Sequence, residues 1–167
     1  MQARVEAAVA AGLPLYLQAA SRGIGVINGL DAGFHPFMGF PGYKAVAHLP
    51  LPQRAAALRE PARKARILGE RSERISGDGT PVPPLVDILL ARIELIGGRM
   101  FPLAAAEWFM PDYEPSVTTS FLARARQRGC TALEALYDHF AEGDGSNLVP
   151  TWAWPTAGAS RRACVPT

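Results

Sequence analysis

Apolar residues recur at helical spacing from Gln2 to Ala11, where Val5, Ala8 and Val9 share a face and Gly12 acts as a stop, so the chain opens with a short amphipathic helix. The next run, Leu13 to Ala20, is mostly apolar and is expected to be a buried strand. A helix, a Gly-Leu-Pro turn, an apolar strand and a glycine-rich loop make the α-to-β connection of a parallel α/β fold, whose active sites lie beyond the strands' carboxyl ends. Further on, Tyr43 to His48 predicts a helical turn that Pro50 and Pro52 end, and a helix begins near Gln53. Glu60-Pro61 breaks it and starts another, expected to reach about Arg74 with Ala62, Ala65 and Leu68 on its apolar face. Ser76 to Pro84 is the strongest break, read as a surface loop rather than a domain boundary. Leu85 to Ile96 suits a mostly buried helix stopped by Gly97-Gly98, and Arg99 to Leu103 reads as a further short strand.

The clearest local grammar lies near the end. Ser116 or Thr118 can cap a helix running to Arg128, with Phe121, Leu122 and Ala125 as its apolar face and Gly129 just beyond its end. Thr131-x-x-Glu134 fits a capping box that opens a second helix carrying Leu133, Leu136, Tyr137 and Phe140 and stopping at Gly143. The two form a helical hairpin around Gly129-Cys130.

Between these parts, Ser21 to Leu51 stands out for site-like composition. It holds Gly23, Gly25, Gly29, Gly33, Gly39 and Gly42, two histidines, and the rings of Phe34, Phe37, Phe40 and Tyr43. Glycines bend the backbone while Pro36 and Pro41 remove donors, so a long ordered loop is expected here rather than a regular strand. Gly23-x-Gly25-x-x-Asn28 lacks the third glycine of a dinucleotide fingerprint, and no helix follows, which argues against a nucleotide site.

Composition narrows the classes further. The 167 residues, 49% apolar, suffice for a sizeable core, and 17 basic against 15 acidic residues argue against a dedicated nucleic-acid binder. Seven basic residues between Arg54 and Arg74 have no interleaved aromatics for base stacking and read as a solvated helix face. Cys130 and Cys164 are too few for a disulfide framework and lack zinc-site spacing. No stretch approaches the ~20 apolar residues of a membrane span, and a soluble cytoplasmic protein is expected.

Three stretches, in order, resemble one family. HPFMGFPGYKAVAHLPLPQRAAALREPARKARIL is similar to the proline- and aromatic-rich loop and the "LPLxxRxxxLRDPxxRxxIL" segment of N-acyl-D-amino-acid deacylases, metal-dependent amidohydrolases. The matching residues are Leu49 to Leu51, Arg54, Leu58 to Pro61, Arg63 and Ile67-Leu68, with Glu60 where the family usually has aspartate. Arg99 to Leu103 and Asp112 to Pro115 resemble its "FPL … YEP" run, and Ser120 to Gly145 its "SIAARAxxRGxxPxELAYDxLLxxDG". The similarity is collinear over roughly Gly12 to Asn147.

The resemblance implies a (β/α)₈ barrel with a metal centre, usually zinc, hydrolysing the amide of N-acyl-D-amino acids or related linear amides. A metal-bound hydroxide does that work, which requires several histidines and carboxylates converging at strand ends. Here His35, His48 and His139 are singletons without a His-x-His pair, and the chain is shorter than the ~250 residues of a complete barrel. The expected fold is therefore α/β, a helix-rich partial (β/α)₈ TIM-barrel fragment with a pocket-shaping insert over residues 1–150. No zinc is expected to be bound by this chain alone, nor activity from it. Its uncovered strand edges leave it open to self-association or to an accessory role on a partner.

By the same resemblance, Asp31, His35 and Tyr43 in the glycine-rich loop are candidates for lining the substrate pocket, and Arg99 and Arg22 for gripping a substrate carboxylate. The plainer readings are a loop histidine bonded to a backbone carbonyl, a tyrosine anchoring the next helix, and ordinary surface arginines. His139 and Cys130 read as structural. After Asn147 the family continues near "VYLGLAxY", whereas this chain reads LVPTWAWPT. A GC-rich codon string for Tyr-Leu-Gly-Leu-Ala-His, read one base later, gives Thr-Trp-Ala-Trp-Pro-Thr. Residues 151–167 are thus either an out-of-frame tail or an ordinary disordered one.

Overall fold

The computed structural model describes residues 2–16, 25–77, 87, 91–104, 107, 112 and 115–152. Among these the chain runs α1 (Gln2–Ala10), β1 (Gly25–Gly29), α2 (Pro41–Lys44), α3 (Leu51–Leu58), α4 (Pro61–Gly69), α5 (Ile93–Ile96), α6 (Phe121–Arg128), α7 (Ala132–Ala141) and β2 (Leu148–Trp152). Outside the described residues lie the expected strand from residue 17 onward, Arg22, the break beyond Gly77, most of the helix expected from Leu85, Tyr113-Glu114, Cys164 and residues 153–167.

The fold is mixed α/β, but its ladder departs from the expected parallel pattern. β1 pairs antiparallel with β2, from Gly25 opposite Trp152 to Gly29 opposite Leu148. Single bridges join Met100 to Thr151 and Leu103 to Leu148 on the other side, so β2 is central and Arg99 to Leu103 runs beside it. The expected loop is therefore a strand at Gly25–Gly29. Val26 and Ile27 are β-branched, and the Asn28 amide donates across the pair to the Val149 carbonyl and Thr151 Oγ1, both at 2.9 Å. β2 continues through Trp152, past the expected start of the tail. Pro150 sits in the central strand, where its carbonyl still accepts from the Phe101 N–H at 3.1 Å.

The strand expected from Leu13 is not formed at its start. Leu13 and Leu15 are about half exposed and Tyr16 is 90% exposed, in irregular backbone. Pro14 offers no N–H, and no ladder partner for the segment is present among the described residues.

The core is helical and aromatic. Phe37, Phe40, Tyr43, Leu58, Ile67, Phe121, Leu136, Tyr137, Phe140 and Val149 are all buried. Phe37 meets Tyr137 and Phe140 edge-on, with centroids 5.3 and 6.2 Å apart. α4 stops at Gly69 rather than near Arg74, and it buries Ile67 while Ala62 and Ala65 face solvent. Burying an isoleucine removes more apolar area from water than burying an alanine, so the helix turns its larger side chain inward. Gly39 allows the aromatic loop to close on the segment after α4. A Cβ there would meet the Glu73 carbonyl at 2.5 Å, and the Glu73 N–H donates to the Gly39 carbonyl at 2.8 Å.

The hairpin forms around its turn. Gly129 takes φ 67° at the end of α6, a left-handed conformation that ends a helix at little steric cost for glycine. The N-cap of α6 is Ser120, not Ser116 or Thr118. Ser120 Oγ accepts from the Ala123 N–H at 3.2 Å, while Ser116 caps a preceding 3₁₀ turn, Val117–Thr119. Thr131 Oγ1 accepts from the Glu134 N–H, and the Glu94 carboxylate accepts from the next free donors, Ala132 N–H at 2.9 Å and Leu133 N–H at 3.4 Å.

Candidate functional site

The aromatic loop carries three of the residues singled out from the sequence, and the fold gathers two of them around an arginine. His35 and Tyr43 lie with ring centroids 4.5 Å apart and planes at 69°, both almost fully buried. The first turn of α3 supplies Arg54. Its Nη1 donates to the Leu30 carbonyl at 2.6 Å and to the Tyr43 hydroxyl at 3.2 Å, while Nε and Nη2 donate to the Leu49 carbonyl. Pro50 precedes α3 and Pro52 lies in its first turn, fixing where the helix begins and so where Arg54 points. The sequence placed Arg54 on a solvated face. Its forked donors instead stitch the loop to the helix.

His35 does not bond a backbone carbonyl as its plainer reading had it. Its Nδ1 accepts from the Phe37 N–H at 3.2 Å, which leaves the ring proton on Nε2. Burial, and then the Arg54 cation, drive its pKa from the ordinary 6.5 down to about 3, so the ring is neutral. Burial likewise raises the Tyr43 phenol above its usual value, with Arg54 opposing. Asp31 is exposed at the mouth of the same loop. Arg99 is exposed on the 3₁₀ turn Gly97–Arg99 and is not brought to this cluster by any contact among the described residues.

A second polar cluster lies on the hairpin. His139 in α7 is buried, with Nε2 3.0 Å from the Leu148 carbonyl and its ring edge-on to Phe121 at 5.2 Å. Burial lowers its pKa, and the bond to Leu148 opposes that. Tyr137 donates to the Leu58 carbonyl at 2.8 Å, and burial pushes its phenol up to about 12. An open cleft of about 490 Å³ runs beside these residues, lined also by Arg59, Lys64, Arg124, Arg128, Asp138 and Glu142.

Six of the seven basic residues between Arg54 and Arg74 make hydrogen bonds or ion pairs, and three of them tie separate elements together. Besides Arg54, Arg59 Nη1 donates to the carbonyls of Ala141 and Gly143 at 2.8 and 2.6 Å, closing the end of α7. Lys64 bridges Glu134 at 3.0 Å and Asp138 at 2.7 Å.

The described residues do not fit a zinc centre. No group of three or more His, Cys, Asp or Glu suited to a metal ion occurs among them, and His35, whose Nδ1 accepts from the Phe37 N–H, carries its proton on the remaining ring nitrogen. Among them, too, no helix is long and apolar enough to cross a membrane. Comparison of the chain with models of known families, with curated proteins and with solved structures gave no match.

Proposed function

We propose that the chain is a part of an N-acyl-D-amino-acid deacylase-like barrel, the pocket-shaping insert with one or two βα units, and that the zinc-dependent amide hydrolysis requires segments outside it. The observation that carries this reading is where the residues of the resemblance meet. Leu58 and Arg59 belong to the first similar stretch, and Tyr137, Ala141 and Gly143 to the third, yet their backbone and side-chain groups bond one another at 2.6–2.8 Å. Met100, from the middle stretch, accepts from the Phe121 N–H at 2.9 Å. Residues that hold such an insert together are those a family resemblance would retain when the catalytic strands are elsewhere.

The test begins with the gene. Sequencing across the codon for Thr151 and expressing the uninterrupted frame should give a longer product that carries zinc and hydrolyses N-acetyl-D-amino acids, while the 167-residue chain does neither. Stoichiometric zinc with turnover in the 167-residue chain overturns the fragment reading, and an inert longer product overturns the family reading.

A second reading, a noncatalytic unit that binds a partner or a second copy through its sheet edge, is favoured by β1. Among the described residues β1 is paired on one side only, and Val26 and Ile27 are 58% and 43% exposed. Light scattering of the chain and of Val26→Lys tests it, with a dimer that the substitution dissociates as the supporting result and a monomer in both as the opposing one.

A further inference from the structure

We propose that the cleft between α4 and the α6–α7 hairpin binds a small organic anion through a carboxylate or phosphate group, and that Arg124 and Arg128 are the residues that grip it. Most polar groups on its walls are already engaged. Arg59 is committed to the Ala141 and Gly143 carbonyls, Lys64 to Glu134 and Asp138, the Tyr137 hydroxyl to Leu58, and His139 to Leu148. Arg124 and Arg128 of α6 differ. They stand one turn apart on the same face, both line the cleft, and neither guanidinium makes a hydrogen bond or an ion pair of 4 Å or less among the described residues.

Arg128 lies in the last turn of α6, where a cation complements the helix dipole, so its position has an ordinary explanation. Arg124 has none. It is half-buried in mid-helix, where its five N–H donors meet no acceptor among the described residues. Burial and the neighbouring Arg128 both disfavour its charge, with Glu142 as the opposing carboxylate. A half-buried guanidinium without an acceptor is costly, and an oxyanion held between Arg124 and the exposed Arg128 removes that cost for Arg124. The cleft, about 490 Å³, also presents Leu58, Pro61 and Ala135, and so has room and apolar wall for a short organic body behind the anionic group.

The inference is independent of the amidohydrolase reading, since it invokes neither a metal nor hydrolysis. Calorimetric titration of the full chain at fixed ionic strength, with inorganic phosphate in one series and succinate in another, tests it. Saturable binding of at least one is expected, and the tighter of the two identifies the group. Arg124→Gln should weaken it about tenfold or more, as expected for loss of charge-assisted bonds, and Arg124→Lys should restore part. Arg126→Gln, at an exposed position on the opposite face of α6, should leave it unchanged. Absence of saturable binding overturns the proposal. So does an equal loss from Arg126→Gln, which would mean diffuse attraction to a basic helix. If circular dichroism shows Arg124→Gln unfolded, Arg128→Gln is judged by the same criterion.

Discussion

Two clusters in this molecule share a composition and differ in completeness. His35, Tyr43 and Arg54 form one; His139, Tyr137 and Arg124 lie together along the other. In the first, every part of the arginine fork meets an acceptor: the carbonyls of Leu30 and Leu49 and the hydroxyl of Tyr43. In the second, the histidine and tyrosine are bonded to backbone, but Arg124 and Arg128 face a cleft with no acceptor in hydrogen-bond reach among the described residues. Histidine, tyrosine and arginine in proximity therefore do not distinguish a site from a strut. The saturation of their donors does. A closed set of bonds stabilises the protein, while donors left facing a cleft can bind something else.

Phe140 stands between the clusters, with its ring centroid 6.3 Å from that of His35 and 6.3 Å from that of His139. Phe140→Ala is expected to have the largest effect, about 3–5 kcal/mol of stability in urea unfolding, because it leaves a cavity shared by both. A loss under about 2 kcal/mol would show that the clusters do not depend on this common wall.

Replacing each arginine by methionine separates the clusters directly. Arg54→Met strips donors from two backbone carbonyls and a phenol, and about 2–3 kcal/mol should be lost. Arg124→Met removes a half-buried cation that no group among the described residues satisfies, so stability should change by no more than about 0.5 kcal/mol or should rise. Equal losses in the two unfolding curves would sink the distinction between a saturated and an unsaturated arginine.

Acid should act mainly on the first cluster. His35 has its folded pKa lowered to about 3 from 6.5, so the folded state favours the neutral ring. The associated stability is fully present above about pH 6.5. It is lost as pH falls from there toward 3, because the unfolded chain takes up a proton that the folded chain refuses. The slope for one such group is at most about 1.4 kcal/mol per pH unit. His139 is shifted in the same direction, its burial partly offset by the bond to Leu148. Urea midpoints taken between pH 7.5 and 4 should therefore flatten strongly in His35→Gln and less in His139→Gln; the reverse order would count against the burial of His35, with Arg54 beside it, as the source.

What could be read from the sequence follows the range of the interactions involved. The hairpin was legible because Gly129, Thr131 and the apolar spacing of α7 are local signals. β1 was not, since its glycines and Asn28 read as loop, and the partner that makes it a strand lies more than 120 residues on. α4 was rotated in the reading because spacing alone does not say whether Ala62 or Ile67 faces the body. Tyr43 and His35 stood out by their setting. Arg54, the residue that organises them, looked like one basic residue among seven. Its signal was Leu-Pro-Leu-Pro across the start of α3, which fixes the helix start and hence the direction of the fork. The unsatisfied state of Arg124 has no sequence signal, because it depends on which acceptors the fold leaves out of reach.

A modest effect is expected at the start of α7, the helix that carries the second cluster. Four N–H groups open at a helix N-terminus, and here Thr131 Oγ1 takes that of Glu134 while Glu94, from 38 residues earlier, takes those of Ala132 and Leu133. Thr131→Ala should cost about 1 kcal/mol through the lost cap, and Glu94→Gln about 0.3–1 kcal/mol through the lost charge at the helix dipole. Both hold the same turn, so the pair should not be additive. The double variant should lose more than the sum, because each partner limits fraying when the other is absent. A double-mutant cycle in urea that is additive within about 0.3 kcal/mol would mean that the Glu94 contact and the threonine cap act separately, and that α7 is held in place by its packed face rather than by its capped end.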